Sequence, residues 1–276
     1  MDRKPITIYT VFPEGKHKVL TLSYDDGKIT DRRMIDILNE YGIKGTFNCN
    51  SGLENASIKT YYEERIPLSE YKELYKGHEV ACHTVTHPTI ARCPKEQIVW
   101  QVLEDRRGLE RAMGTTVRGM AYPNGSFDDQ VVDALKACGI VHARTVKSTH
   151  SFDMPSDYLR WNPTVKHNDP ELDNLCDEFL KLKKTQYFYM FYLWGHSYEF
   201  ERDNNWHILE NFAKKMSGQD DIWYATNIEI VDYLEASKRV QISVAGDFAY
   251  NPNAMDIWVE VDKKPVLIKG GQQIGL

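Results

Sequence analysis

The residues of this chain best suited to chemistry are two adjacent carboxylates and a pair of histidines. Asp25 and Asp26 are followed by Gly27, and three residues separate His83 from His87. Burying two neighbouring carboxylates is costly unless a cation or a shared proton intervenes. Two neutral imidazoles and one carboxylate form a common hydrolytic zinc site, which leaves the second carboxylate free to take a proton from water. The two aspartates and two histidines together therefore predict a hydrolytic metal site. The alternatives are a solvated turn at the aspartates and two histidines that cap a loop.

The histidine pair is predicted to lie on a loop. Its spacing would also place both rings on one face of a helix, as in the zinc helices of metalloproteases. However, Thr84, Val85 and Thr86 are β-branched, which favours extended structure. Pro88 also disfavours helical dihedral angles at His87. The pattern therefore indicates a strand that continues into a loop, with both imidazoles directed to one point.

Short apolar or β-branched runs alternate with helical patterns along most of the chain. The predicted strands are Val19–Tyr24, Gly45–Asn50, Glu79–Thr84, Arg118–Tyr122, Ile140–Val146, Tyr187–Trp194 and Ile222–Thr226. The predicted helices are Thr30–Tyr41, Lys95–Met113, Asp128–Cys138, Pro170–Lys183, Trp206–Met216 and Asn227–Ser237. This alternation predicts an α/β fold with a parallel sheet, and about seven such units favour a (β/α) barrel over an open doubly wound sheet.

The polar residues fall where the predicted strands end. The two aspartates follow the first strand, and His83 lies at the end of the third. Tyr122–Gly125 follows the fourth strand, and His196 closes the most apolar run of the chain. Parallel barrels keep their active sites at the carboxyl ends of their strands. The shared placement therefore favours a single site over unrelated surface residues.

The pattern changes to β structure after residue 239. We therefore predict that residues 1–239 form the barrel domain and that residues 240–276 form a small C-terminal β appendage packed on it. Within the barrel, the segment Leu53–Gly77 is long for a connection between a strand and a helix. This segment is expected to cover or border the site.

The composition is that of an ordinary soluble globular protein. The chain has 276 residues, of which 42% are hydrophobic and 27% charged, and its formal net charge is −6. That charge gives no reason to expect nucleic acid or a membrane as a partner. The five cysteines lack the spacing of a structural zinc site. Because no secretory signal is recognisable, a cytoplasmic protein is expected. A secreted protein whose leader is missing from this sequence is the alternative.

Five segments, in order, resemble the motifs of the polysaccharide deacetylases, the NodB-homology group that is also called carbohydrate esterase family 4. They are LTLSYDDG (residues 20–27), CHTVTHP (82–88), AYPNG (121–125), DYLRW (157–161) and YLWGH (192–196). The resemblance spans roughly residues 18–235, and its first two motifs together are the most specific. It implies a distorted (β/α) barrel, in agreement with the count of units.

The resemblance also implies roles for individual residues. Asp25 corresponds to the general base of the family, and Asp26, His83 and His87 correspond to its metal ligands. His196 corresponds to the general acid that protonates the leaving group.

The later motifs supply further candidates. Asp157, in the fourth motif, corresponds to the residue that orients and charges the acid, and Trp161 to an aromatic that lines the pocket. The backbone amide of Asn124 corresponds to an oxyanion donor. Tyr122 and Trp194, which lie in the third and fifth motifs, are the other candidates for substrate binding.

Two departures from the family pattern affect these assignments. The family has an arginine two residues before the proline of the third motif, where it holds the base, but Ala121 stands there in this chain. Arg118 is predicted to replace it, with Arg160 as the alternative. The fifth motif is one residue longer than the Leu-x-His of the family, so the assignment of His196 also rests on its place at a strand end.

Together, these features predict a metal-dependent hydrolase that removes acetyl groups from an N-acetylated sugar or oligosaccharide. The expected cofactor is a divalent metal, Zn²⁺, with Co²⁺, Ni²⁺ or Fe²⁺ as alternatives. Three other functions remain open. They are hydrolysis of a different non-peptide C–N bond, as in allantoinase-like relatives, hydrolysis of an O-acetyl ester, and silent carbohydrate binding.

Overall fold

The computed structural model describes residues 7–54 and 59–276. Its strands are β1 (Ile8–Val11), β2 (Lys18–Asp25), β3 (Thr46–Cys49), β4 (Glu79–Cys82), β5 (Gly119–Ala121), β6 (His142–Arg144), β7 (Val165–Lys166), β8 (Tyr189–Gly195), β9 (Ile222–Tyr224), β10 (Gln241–Ile242), β11 (Phe248–Tyr250), β12 (Ile257–Val261), β13 (Lys264–Ile268) and β14 (Gln273–Gly275). Its α-helices are α1 (Asp31–Glu40), α2 (Tyr71–Leu74), α3 (Lys95–Met113), α4 (Asp129–Ala137), α5 (Leu172–Lys181), α6 (Ser197–Arg202), α7 (His207–Met216) and α8 (Asn227–Ser237). Among these described helices, none has the length and apolar character needed to cross a bilayer.

A curled parallel sheet forms the centre of the molecule. Its strand order is β6-β5-β4-β3-β2-β8-β7, and β9 also pairs with β2. Strand β8 runs along one edge of β2, whereas β3 and β9 share the other edge at opposite ends. All eight residues of β2 are buried, as expected for a parallel strand covered on both faces. The predicted α/β barrel is thereby confirmed, in the form of a half-barrel.

The predicted elements are all present, and their ends are displaced by at most two residues. The helix α8 has the predicted bounds because a capping box begins it, in which Thr226 and Glu229 satisfy each other's backbone amides. Several short elements were not predicted, among them β1, β7, α2 and α6. A strand of two residues is too short to show a period, and α6 is a helix of fewer than two turns directly after His196.

The predicted C-terminal β structure is also confirmed. Strands β10, β11 and β14 form one antiparallel sheet, and β12 and β13 form a second sheet with β1. The pairing of β1 with β12 was not predicted. Ile257 of β12 packs with Phe12 and Ile230 in one hydrophobic cluster. The division of the chain at residue 239 stays a prediction, and the β1–β12 pair joins the two sides of it.

Candidate active site

Asp26, His83 and His87 form a cluster with the donor set of a metal site. One ligand atom of each residue lies within 4.8 Å of the other two. His87 Nε2 is 3.9 Å from Asp26 Oδ1, and the centroids of the two imidazole rings are 4.7 Å apart. His83 is buried, whereas Asp26 and His87 are partly exposed, so the cluster is open on one side. The three residues therefore fit a divalent cation that keeps positions for other ligands.

The surroundings of His83 hold its ring in the orientation that a metal ligand needs. Its Nδ1 lies 2.8 Å from the carbonyl oxygen of Ala121, which fixes the tautomer in which Nδ1 donates and Nε2 keeps a free lone pair. Its backbone amide donates to Asp105 Oδ2 at 2.9 Å. Burial lowers the pKa of His83 to about 4, so the ring is neutral at pH 7. Neutral imidazole is the form that coordinates metals.

The loops that carry the cluster adopt unusual backbone conformations. Asp26, Thr84 and His87 have φ values of 86°, 64° and 55°, in the left-handed region that few residues other than glycine adopt. Hydrogen bonds hold these conformations: the Asp26 amide donates to the carbonyl oxygen of Asn48 at 2.8 Å, and the His87 amide donates to Thr84 Oγ1 at 3.1 Å. Local strain of this kind is typical of functional sites. The loop prediction for the histidine pair agrees with this geometry.

Asp25, the residue before the cluster, is a buried carboxylate with two polar partners. Arg144 Nη2 donates to its Oδ2, and Asn48 Nδ2 donates to its Oδ1 at 2.9 Å. Burial by itself would raise the pKa of Asp25, but the Arg144 guanidinium, together with His83 and His196, holds that pKa below its ordinary value. The carboxylate is therefore ionised at neutral pH, as a general base must be.

The arginine that contacts Asp25 differs from the predicted one. Arg118 forms a bidentate pair with Asp232, with N–O distances of 3.0 and 2.5 Å, and Arg160 pairs with two other carboxylates. Arg144 takes this position instead because β6 directs it into the interior of the sheet, where its side chain has no exposed area. The only sequence signal was a charged residue in the middle of a predicted buried strand. The analysis missed it because it considered only arginines in or near the motifs.

His196 follows β8 and faces the site with one ring nitrogen. Its Nε2 lies 3.9 Å from Asp25 Oδ2, and its Nδ1 lies 3.5 Å from Glu199 Oε2. Burial would lower the pKa of His196, but the nearby carboxylates of Glu199, Asp25 and Asp26 outweigh that effect and raise it. His196 is thus more readily protonated than an ordinary histidine, which suits a proton donor.

The structure does not bring Asp157 to His196. Asp157 accepts hydrogen bonds from the Leu159 amide at 2.8 Å and from Arg160 Nη1 at 2.5 Å, because it caps a short 3-10 turn. The carboxylate at His196 Nδ1 is that of Glu199, one helical turn further along the chain. The sequence analysis had no reason to choose Glu199, since it lies outside the five motifs.

The two candidate tryptophans have different surroundings. Trp161 has no exposed surface, its Nε1 faces Met190 Sδ at 3.3 Å, and its ring packs on Tyr192. It is a core residue, and no surface remains for a substrate. Trp194 stacks on the Arg144 guanidinium, 4.5 Å from the ring centroid, and is only 7% exposed. Trp194 therefore supports the arginine that contacts Asp25.

The residues of the third motif also differ in exposure. Tyr122 is buried, and its hydroxyl donates to the carbonyl oxygen of Leu159 at 2.6 Å. Its backbone amide donates to the carbonyl oxygen of Arg144 at 3.1 Å. Asn124 is exposed, has a φ of 56°, and its Nδ2 lies 3.3 Å from Thr89 Oγ1. Tyr122 is thus a packing residue, whereas Asn124 remains accessible.

The segment Leu53–Gly77 borders the cluster, although part of it lies outside the described residues. Lys28 and Arg65 form an isolated antiparallel bridge that attaches this segment to the loop after β2. Arg65 donates to the backbone oxygen of Asp26 and, at 3.1 Å, to Asn50 Oδ1. The segment therefore holds the backbone of a predicted metal ligand.

Comparison with known proteins agrees with the family resemblance and with this fold. Residues 13–143 match the family model of the polysaccharide deacetylases, which confirms the resemblance seen in the motifs. A chitooligosaccharide deacetylase from Sinorhizobium fredii is 30% identical over 122 residues, which are 43% of this chain and 53% of that protein. Chitin deacetylase 1 from Cryptococcus neoformans is 29% identical over 111 residues, which are 40% of this chain and 22% of that protein. The chain thus spans about half the length, or less, of these relatives.

Solved structures share the fold over a larger part of the chain. A family 4 carbohydrate esterase from Streptomyces lividans, in complex with acetate, aligns with a TM-score of 0.50 and 15% identity over 75% of this chain and 91% of its own. A pseudoenzyme of the same family from Bacillus anthracis aligns with a TM-score of 0.52 and 21% identity over 81% of this chain and 68% of its own. Because this fold also occurs in a pseudoenzyme, activity must be argued from the site residues.

The cluster leads to a prediction about metal binding. The wild-type protein should bind one Zn²⁺ per chain in isothermal titration calorimetry. His83→Ala and Asp26→Ala should each weaken binding by more than the roughly 10–100-fold that changes around a metal site usually cost. The exposed His207→Ala is the matched control and should bind like wild type. Equal affinities in all four proteins would mean that the cluster is not the metal site.

The buried ion pair leads to a prediction about stability. Arg144→Met should lower the free energy of unfolding by about 3–5 kcal/mol in urea titrations at pH 7, because it leaves the Asp25 carboxylate buried without a counter-charge. Adding Asp25→Asn to that variant removes the unpaired charge and should recover part of the loss. If the double variant is as unstable as the sum of the two single changes, the contact is not an energetic pair.

Proposed function

We propose that this protein is a metal-dependent deacetylase that hydrolyses the acetamido group of an N-acetylated sugar or oligosaccharide. The observation that carries the proposal is the convergence of three metal-ligand side chains with an ionised carboxylate and an imidazole at one end of the sheet. Asp25 directly precedes the ligand Asp26, and His196 lies 3.9 Å from Asp25. The names of the relatives, chitooligosaccharide deacetylase and chitin deacetylase, support the substrate class.

Asp26, His83 and His87 are the residues that would hold the metal. The fit rests on His83, whose Nδ1 is committed to a backbone carbonyl and whose Nε2 is left for coordination. A divalent cation bound by these residues would supply Lewis-acid chemistry for the acetyl group. Two histidines and a carboxylate are a usual zinc donor set, and they also accept Co²⁺, Ni²⁺ or Fe²⁺.

Asp25 and His196 carry the proton transfers. Asp25 accepts a proton from the attacking water, and its contact with Arg144 keeps it in the ionised form that this role requires. His196 then donates a proton to the departing nitrogen. Its Nε2 is the nitrogen that faces Asp25, so both groups can reach one substrate carbonyl.

The backbone amide of Asn124 is the proposed hydrogen-bond donor to the developing oxyanion. The Tyr122 amide donates to a neighbouring strand, and the Gly125 amide donates back to the Tyr122 carbonyl oxygen. Pro123 has no amide hydrogen. The backbone amide of Asn124 is therefore the one amide of residues 122–125 that remains free of these contacts. Its left-handed conformation is part of the geometry of the turn.

The proposed base gives the first activity test. The wild-type protein loaded with Zn²⁺ should release acetate from chitooligosaccharides, and a chelator should stop the release. Asp25→Asn preserves the size of the side chain but cannot accept the proton, so kcat should fall by roughly 10²–10⁴-fold while Zn²⁺ still binds. Acetate release that is insensitive to both the chelator and this substitution would contradict the proposal.

The proposed acid gives a second test, based on the leaving group. An amine must be protonated to depart, whereas an activated aryl alcohol need not be. His196→Ala should therefore slow hydrolysis of an N-acetylated sugar by roughly 10²–10⁴-fold and affect an aryl acetate only slightly. Comparison of kcat on the two substrates measures this difference. Losses of equal size would show that His196 is not the acid.

A further inference from the structure

The structure places a carboxylate from outside the family motifs against the proposed acid. His196 directs Nε2 to Asp25 and Nδ1 to Glu199 Oε2, 3.5 Å away. We propose that Glu199 is the positioning residue of His196 and takes the role that the family pattern assigns to Asp157. This inference rests on the proposed function, because it concerns how the acid of that reaction is oriented and kept protonated.

Glu199 is itself held in place by two further side chains. Its Oε1 accepts a hydrogen bond from Lys166 Nζ at 2.8 Å, and its Oε2 lies 3.2 Å from His167 Nε2. Its side chain is only 8% exposed. Burial would raise the pKa of Glu199, but His196 and Lys166 lower it to about 2. Glu199 is thus a carboxylate that Lys166 holds in place and that is ionised at neutral pH.

The neighbouring His167 explains why the residue before His196 is glycine. A Cβ at position 195 would lie 2.0 Å from His167 Nδ1, so only glycine leaves room for this ring beside β8. The His167 ring also packs between the rings of Tyr24 and Phe200, with distances between ring centroids of 5.7 Å and 4.1 Å. Burial lowers the pKa of His167 to about 3, so the ring stays neutral beside Glu199. Gly195, His167 and Glu199 therefore form one packing unit behind the acid.

Among the residues that the structure describes, Glu199 is the carboxylate that lies beside Nδ1 of His196. Among the described residues, the titratable groups near His196 are Asp25 and Asp26 at the end of β2, Glu199 and Tyr198 on α6, and His167 after β7. Asp25 forms an ion pair with the buried Arg144, and it faces Nε2, the other ring nitrogen of His196. An imidazole that donates through Nδ1 to a fixed carboxylate is oriented by it, and its protonated form is stabilised. Glu199 is in the position to do both.

The test compares Glu199→Gln with Glu201→Gln, a matched control on the same helix whose carboxylate contacts Tyr61 and Trp206. In the Zn²⁺-loaded protein, NMR titration of the His196 ring should show a pKa lower by about 1–3 pH units in Glu199→Gln. The Glu201→Gln protein should titrate like wild type. An unchanged His196 pKa in a folded Glu199→Gln protein would overturn the proposal.

Kinetic measurements give a second readout, which would stay unchanged if Glu199 had only a structural role. In Glu199→Gln, kcat on an N-acetylated sugar should fall by part of the roughly 10²–10⁴-fold that general acid catalysis contributes, with little change in KM or in aryl acetate hydrolysis. Because the acid must be protonated, the decline in rate at high pH should begin at a lower pH than in wild type. Equal losses on both substrates would overturn the proposal.

A second variant and a measurement that does not depend on activity keep the test decisive. If Glu199→Gln does not fold, Glu199→Asp keeps the charge and withdraws it from the ring, and it should show a smaller shift of the same sign. A wild-type pKa and wild-type selectivity in that variant would overturn the proposal. If the wild-type protein hydrolyses no acetylated substrate, the proposed function fails, and the NMR titration still decides whether Glu199 controls His196.

Discussion

Two buried charges, Asp25 on β2 and Arg144 on β6, lie in direct contact inside the curled sheet. Removing a pair of charges from water costs several kcal/mol per ion, and only close contact and further hydrogen bonds offset that cost. Arg144 meets this demand with additional bonds to Ser23 Oγ and the Thr145 carbonyl oxygen. Because Asp26 is the next residue after Asp25, the pair also determines where the metal-ligand loop begins. The contact between Asp25 and Arg144 thus links the order of the strands to the chemistry of the site.

The elements of the fold could be predicted because their signals are long and local. β2 and β8 are apolar runs buried over most of their length, and α3 and α8 show helical spacing with recognisable ends. The cluster of Asp26 with the two histidines could also be predicted, because it needs only residue types at the ends of parallel strands. Short elements such as β7 could not, since two residues carry no period.

The supporting residues could not be predicted, because their roles depend on packing between distant elements. Arg144 reaches Asp25 across 119 positions of sequence, and no rule relates the two. Trp161 matches a motif position, yet its ring is enclosed by the core. The position of the Glu199 carboxylate beside His196 depends on the direction in which α6 continues from β8. The family motifs thus predicted the clustered side chains more reliably than the side chains that support them.

The left-handed backbone at Asp26, Thr84 and His87 has a consequence for how a cation is acquired. The Asp26 loop is bonded to Asn48 on β3, and the His87 amide is bonded to Thr84 within its own loop, so the backbone of the proposed ligands is ordered when the chain folds. A zinc finger, by contrast, orders its ligands only as the ion binds. A preorganised site pays no such cost at the moment of uptake. If this cluster holds the proposed cation, we therefore expect cation uptake to be independent of folding.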